Sequence, residues 1–164
     1  FIPLEKELET MKLYLLMESL RFKNQFEYNI SIDENTDEQY VRVPPLIIQP
    51  YAENAIWHGL MHQDKKGRLD IIIKMGTNFL RIEILDNGIG RDKAAQLNSK
   101  KSNEQKSYGM EITSKRITSL HPDNRIEIAD LKNDVGQPAG TRITIFISIS
   151  KPLSSKKKNN HTNE

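Results

Sequence analysis

"RLDIIIKMGTNFLRIEILDNGIG", residues 68–90, consists of two apolar runs joined by a short polar break. "RLDIIIKM" and "FLRIEILDN" read as strands, and "GTN" between them is a hairpin turn signal. The second strand runs into "DNGIG", Asp86 to Gly90, and no further apolar strand follows at once, as a tight hairpin would require. A dinucleotide loop fits poorly too, because "GIG" lacks the third glycine and the parallel strand–helix–strand setting. What remains is a strand that ends in an acid beside two spaced glycines. Asp86 can accept a hydrogen bond from an amino group, and Gly88 and Gly90 let a ligand approach the backbone.

Working outward, "LEKELETMKLYLLMESLRF", residues 4–22, carries Leu4, Leu8, Met11, Leu15, Leu16, Ser19, Leu20 and Phe22 at three- and four-residue steps, a helical stripe. Glu5, Glu7 and Glu9 sit early, where the helix dipole favours acids. "FEYNISID", residues 26–33, alternates as a strand does, and "VRVPP" is a short extended piece. Leu46 to Met61 is a second helix in which Pro50 marks either the start or a kink. Residues 91–108 begin helix-like and turn polar, and most of them read as a mobile loop. "GMEITSKRITSL", residues 109–120, is an amphipathic helix opened by Gly109. "RIEIAD" and "GTRITIFISIS" are two more strands around a hairpin-type loop, and the Lys-rich tail from Lys151 reads as disordered.

Strands joined by short turns imply a mixed, mostly antiparallel sheet. About three helices would cover one face, giving an α/β (α+β) two-layer sandwich. The expected divisions are a leading helix at 1–24, a domain at 25–150 and the tail at 151–164.

The 164 residues suffice for one compact domain, and a net charge of +2 gives no argument for nucleic acid. The absence of cysteine excludes disulfides, thiolate metal sites and a cysteine nucleophile. No apolar run approaches the roughly 20 residues of a membrane helix. The chain opens at Phe1 rather than Met, so a fragment is expected, and an upstream membrane segment stays open.

"YAENAIWHGL", residues 51–60, sets Glu53, Asn54 and His58 within an apolar helical pattern. Asn54 and His58, four apart, would share a helix face. The carbonyl of an asparagine is a hard oxygen ligand suited to Mg²⁺; a hydrogen-bonded polar helix is the bland alternative. His58 and His62 are also four apart, but Gly59 stands where a metalloprotease helix needs glutamate, so zinc is disfavoured. Backbone N–H groups at a helix opened by Gly109 would attract phosphate, with Lys100, Lys101 and Lys106 adding charge; a simple cap explains the glycine equally well. Gly140 and Thr141 open the last strand, where the glycine permits close approach and the threonine offers a hydroxyl.

In that order, "ENAIWHG", "DNGIG", a polar lid, "YGMEITSKRI" and "GTRITI" resemble the N box, G1 box, lid, G2 box and closing strand of the GHKL ATPase superfamily, the Bergerat fold. "PPLIIQPYAENAIWHGL" and the leading helix are most similar to sensor histidine kinases of the LytS-like class. The resemblance implies ATP and Mg²⁺ as ligands. Asn54 would coordinate Mg²⁺ as the catalytic metal ligand, with Glu53 as a helper polarising the attacking group and His58 beside the phosphates. Asp86 would accept from the adenine amino group in a pocket shaped by Gly88 and Gly90, with Thr141 at the adenine end. Tyr108, Gly109 and Met110 would lie where the lid closes over the phosphates.

A histidine in an upstream motif like "NPHFLFN", which this chain lacks, would receive the phosphoryl group before a response regulator receiver domain does. The resemblance further implies a homodimer, no nucleic acid, and a cytoplasmic domain of an inner-membrane-anchored sensor. Pro50 stands where many histidine kinases have asparagine, Trp57 where lysine is usual, and the G2 region has one glycine. The lost lysine implies another cation, for which Arg91 and Arg116 are the candidates. Two alternatives follow: an interaction module with weak or no kinase activity, and a chaperone- or repair-type ATPase, which needs glutamate at position 50.

Overall fold

The first long element is a helix, α1 (Leu4–Arg21), whose leading Ile2–Pro3 (β1) pairs antiparallel with Arg42–Val43 (β3). A computed structural model of the chain describes residues 1–98 and 104–149, and its account of side chains omits 95, 97, 98 and 104–108. Leu4, Leu8, Met11 and Leu15 of α1 are at most 1% exposed and belong to the same core as the sheet. Each such side chain contributes about 1.5–3 kcal/mol by leaving water. Leu16 and Leu20, expected on that stripe, instead face outward with Leu13 and Met17, so α1 carries a second, exposed apolar face. The steps of three and four fit two adjacent stripes equally well, and only packing selects between them.

The main sheet has five strands in the order β2-β4-β5-β7-β6: β2 (Phe26–Ile32), β4 (Gly67–Met75), β5 (Phe79–Asp86), β6 (Arg125–Lys132) and β7 (Pro138–Ser148). Only β2 and β4 run parallel, and the other three pairings are antiparallel. Leu69, Ile71, Ile73, Ile82, Ile84, Ile143 and Ile145 alternate inward and meet the helices. The expected mixed sandwich is therefore the fold.

Two helical boundaries differ from expectation. α2 is a short α-helix, Gln49–Asn54, followed by a π turn (Ala55–Gly59) and a 3₁₀ turn (Leu60–His62). Pro50 occupies its first turn, so it marks a start and not a kink. Between β5 and β6, α3 (Arg91–Asn98) and α4 (Glu104–Leu120) occupy most of the stretch read as a loop. Glu104, Gln105 and Lys106 favour helix, and they extend α4 upstream of Gly109. The tail at 151–164 lies outside the described residues.

The start of α2 has an unusual cap. Its N-cap residue, Ile48, offers no side-chain oxygen. Glu7, reaching across from α1 and 3% exposed, accepts hydrogen bonds from the backbone N–H groups of Leu46, Ile47 and Ile48 at 2.8, 2.8 and 3.1 Å. A carboxylate thus satisfies the amides of the turn leading into α2, including that of the N-cap residue itself.

Candidate functional site

The π turn determines how the polar residues of this segment are presented. The Leu60 N–H donates to the Ala55 carbonyl, a five-residue step that widens the turn. Asn54 ends the α-helical part and His58 lies within the wide turn. Both are half-buried. Glu53 accepts a hydrogen bond from Gln49 Nε2 at 2.8 Å, which holds its carboxylate on the helix.

Gly59 closes the turn against the loop after β5. A Cβ on Gly88 would lie 2.5 Å from Gly59 Cα and C, so bare backbone meets bare backbone. The Ile89 N–H donates to the Gly59 carbonyl at 3.3 Å, and a Cβ on Gly59 would approach Asp86 Oδ1 at 3.0 Å. On the other side Gly140, at φ +124°, faces the backbone of Asp86, where a Cβ would fall 1.8 Å from the carbonyl oxygen. Gly90, at φ +79°, packs near Pro138. Asn87 pins the loop by accepting from the Arg68 N–H at 2.7 Å and from Gln63 Nε2 at 3.2 Å.

Asp86 is at the centre of this arrangement. It is 6% exposed and lies opposite Thr141, 5% exposed, in the register of β5 and β7. Burial pushes its carboxyl up to about 6, against the opposing effect of hydrogen bonds from the Gly88 and Thr141 N–H groups. The Gly88 bond is 2.9 Å. A buried acceptor ringed by glycines can read an amino group on a flat ligand that slides against the backbone. A cavity of about 700 Å³ lies between Gly88, Ile89, Lys93 and Pro138 and the turn at His62–Lys65; Asp86 itself does not line it.

The structure thus joins Gly88, Gly90, Asp86 and Thr141 and sets the segment with Glu53, Asn54 and His58 against them through Gly59. Gly109 differs from expectation. It sits inside α4 and not at its start, with nothing within 4 Å of an added Cβ, so no free helix N-terminus lies at this residue. Met110 packs partly against the core, and the side chains of Tyr108, Lys100, Lys101 and Lys106 lie outside the described residues. Arg91 and Arg116 are both committed elsewhere. Arg91 makes a bidentate pair with Asp130 at 2.7 and 2.6 Å. Arg116 donates to the Pro45 and Leu46 carbonyls at 2.6 and 3.1 Å.

Gly59 and Asn87 are contributors that sequence reading missed. Gly59 registered only as the residue that spoils a zinc motif, and its contact with Gly88 spans 29 positions. Among the described residues no group of three His, Cys, Asp or Glu could hold a metal. An ion held by Asn54 would therefore take its other ligands from water and a bound anion, the pattern that suits Mg²⁺.

No protein-family model matches the chain. Sensor protein LytS of Oceanobacillus iheyensis is 35% identical over 134 residues, 77% of this chain and 23% of that protein. The sensor histidine kinase/phosphatase LytS of Staphylococcus aureus strain Mu50 is 36% identical over 93 residues, 56% of this chain and 16% of that protein. The chain thus spans about a quarter or less of these relatives. Among solved structures, the nucleotide-free catalytic domain of histidine kinase ThkA superposes with a TM-score of 0.60 at 16% identity, covering 90% of this chain and 95% of that one. The histidine kinase domain of Erythrobacter litoralis EL346 gives 0.58 at 16% identity, covering 89% and 61%. These likenesses establish the fold. The LytS identities place the chain among the LytS-like sensor histidine kinases, with the fold of a histidine kinase catalytic domain.

Proposed function

We propose that the chain binds ATP with Mg²⁺ and presents the terminal phosphate for transfer to a histidine outside this chain. A response regulator receiver domain would then accept the phosphoryl group. The observation that carries this reading is the buried Asp86 carboxyl, framed by Gly59, Gly88 and Gly140. Asp86 would accept from the adenine amino group, and Gly88 and Gly90 would let the ring lie against the backbone. Asn54 would hold the metal through its amide oxygen, with Glu53 and His58 beside the phosphates and Thr141 at the base. Tyr108, Gly109 and Met110 would form the near edge of a lid. When bound, Mg²⁺-ATP supplies the electrophilic phosphorus and neutralises its own charge, which leaves the chain chiefly to position it.

The exposed apolar face of α1 supports pairing with another helix, as in a homodimer of the whole protein. The proposed divisions remain a leading helix at 1–24 and a catalytic unit at 25–150. Among the described residues no helix is long and apolar enough to cross a membrane, so the anchoring proposed for the sensor would come from other segments.

Titration with a fluorescent ATP analogue, with and without Mg²⁺, tests the reading. Wild type should bind with Mg²⁺, Asp86→Asn should lose most affinity, and Asn54→Ala should lose the Mg²⁺ dependence. Absence of binding by wild type, or an unaltered Asp86→Asn, would refute it. Phosphate incorporation by a longer chain carrying the upstream histidine separates a kinase from the interaction module that Trp57 and Pro50 suggest.

A further inference from the structure

α1 ends beside the turn that follows Asn54. Trp57, three residues beyond Asn54, meets the Phe22 ring edge-on at 5.0 Å between centroids. The Arg21 guanidinium lies 4.7 Å from the centroid of the Trp57 ring and 5.8 Å from that of Phe22. A guanidinium stacked on an indole keeps its N–H edge available for an anion. The Arg21 side chain is 60% exposed, and its ion pair with Glu18 is long, at 3.5 Å.

Tyr14 lies in the same corner. Its hydroxyl lies within electrostatic reach of Glu18, Glu53 and Arg21 and adjoins Trp57. Arg21 is thus held, through Trp57, against the turn that follows Asn54, with Glu18 beside it. A polyphosphate arriving there needs a cation. Arg91 and Arg116, the arginines expected to serve, are bound to Asp130 and to the Pro45 and Leu46 carbonyls.

We propose that Arg21, laid on Trp57, is the cation that receives the phosphate chain of a nucleoside triphosphate at the Asn54 end of the site, with Trp57 as its positioning residue. This rests on the nucleotide-binding reading above. It makes α1 part of the site: withdrawing the end of that helix withdraws the charge.

The test is calorimetric titration of the full chain with Mg²⁺-ATP and, separately, with adenosine, which lacks the phosphates. Arg21→Ala should weaken ATP about tenfold, the scale of one charge-assisted contact, and leave adenosine unchanged. Trp57→Ala should behave alike, and Arg21→Ala/Trp57→Lys should regain ATP affinity by bringing an ammonium to the same place. Trp57 is the single tryptophan, so its emission should respond to ATP and not to adenosine in wild type. Urea midpoints check that each variant is folded, with Arg21→Gln as the substitute if Arg21→Ala is not. The proposal is overturned if a folded Arg21 variant binds ATP as wild type does, or loses adenosine and ATP equally. Wild type that binds neither ligand overturns the nucleotide reading itself, and this proposal with it.

Discussion

Gly59 and Gly88 meet backbone to backbone, so closely that a single methyl on Gly88 would lie 2.5 Å from Gly59 Cα. This contact joins the segment bearing Asn54 to the loop bearing Asp86. Gly88→Ala must push the two apart, and overpacking of this kind costs about 1–3 kcal/mol. The expected outcome is a lowered urea midpoint together with loss of nucleotide-analogue binding. A variant that binds normally would show that the contact does not set the site.

The charge on Asp86 makes the empty protein pH-sensitive in a defined direction. Folded, its carboxyl titrates at about 6 because it is buried; the ordinary value is 3.8. Between those values the folded chain holds the extra proton, so this group's contribution to stability falls as pH rises through the window. Above pH 6 the cost is complete. Asp86→Asn has no charge to bury and should stabilise the nucleotide-free chain on the order of 1–3 kcal/mol at pH 8, with the gain gone near pH 4. Urea melts of both proteins at the two pH values measure it.

Glu7 predicts a contrast between two substitutions. Glu7→Ala strips three amides at the head of α2 of their acceptor and opens a void, which should cost about 3 kcal/mol or more. Glu7→Gln keeps one oxygen in place and should cost less than half as much. Chemical denaturation of both variants against wild type checks the ranking.

Gly109 predicts a gain. Within a helix and with open space around it, Gly109→Ala should stabilise the chain by about 0.5–1 kcal/mol. If the helix must break there for the proposed lid to close, the same variant should transfer phosphate more slowly while melting at a higher temperature. Melting of this chain, paired with phosphotransfer by the longer chain that carries the upstream histidine, reads both.

Much of this was visible in the sequence wherever the signal is local. The hairpin of β4 and β5 follows from two apolar runs and "GTN". Asp86 stood out because an acid and two glycines followed a strand with no partner strand next. Three features were not legible, for a common physical reason. The Gly59–Gly88 contact, the cap that Glu7 gives α2, and the outward turn of Leu16 and Leu20 are decided by which elements lie side by side. Gly109 shows the converse error. A glycine after a polar run reads as a helix start, yet the residues before it are good helix formers, and one glycine is too weak a breaker to stop them.

α1 is fastened to the α2 segment at two separate points: by Glu7 near its first turn, and by Arg21 and Phe22 against Trp57 at its end. A rod held at one point can swing freely, whereas a rod held at two carries torque. Rotation of α1 about its own axis would bear on the head and the tail of the same short helical segment at once. Asn54 lies between the two fastenings, so a twist entering at Leu4 would be felt as a tilt at its amide.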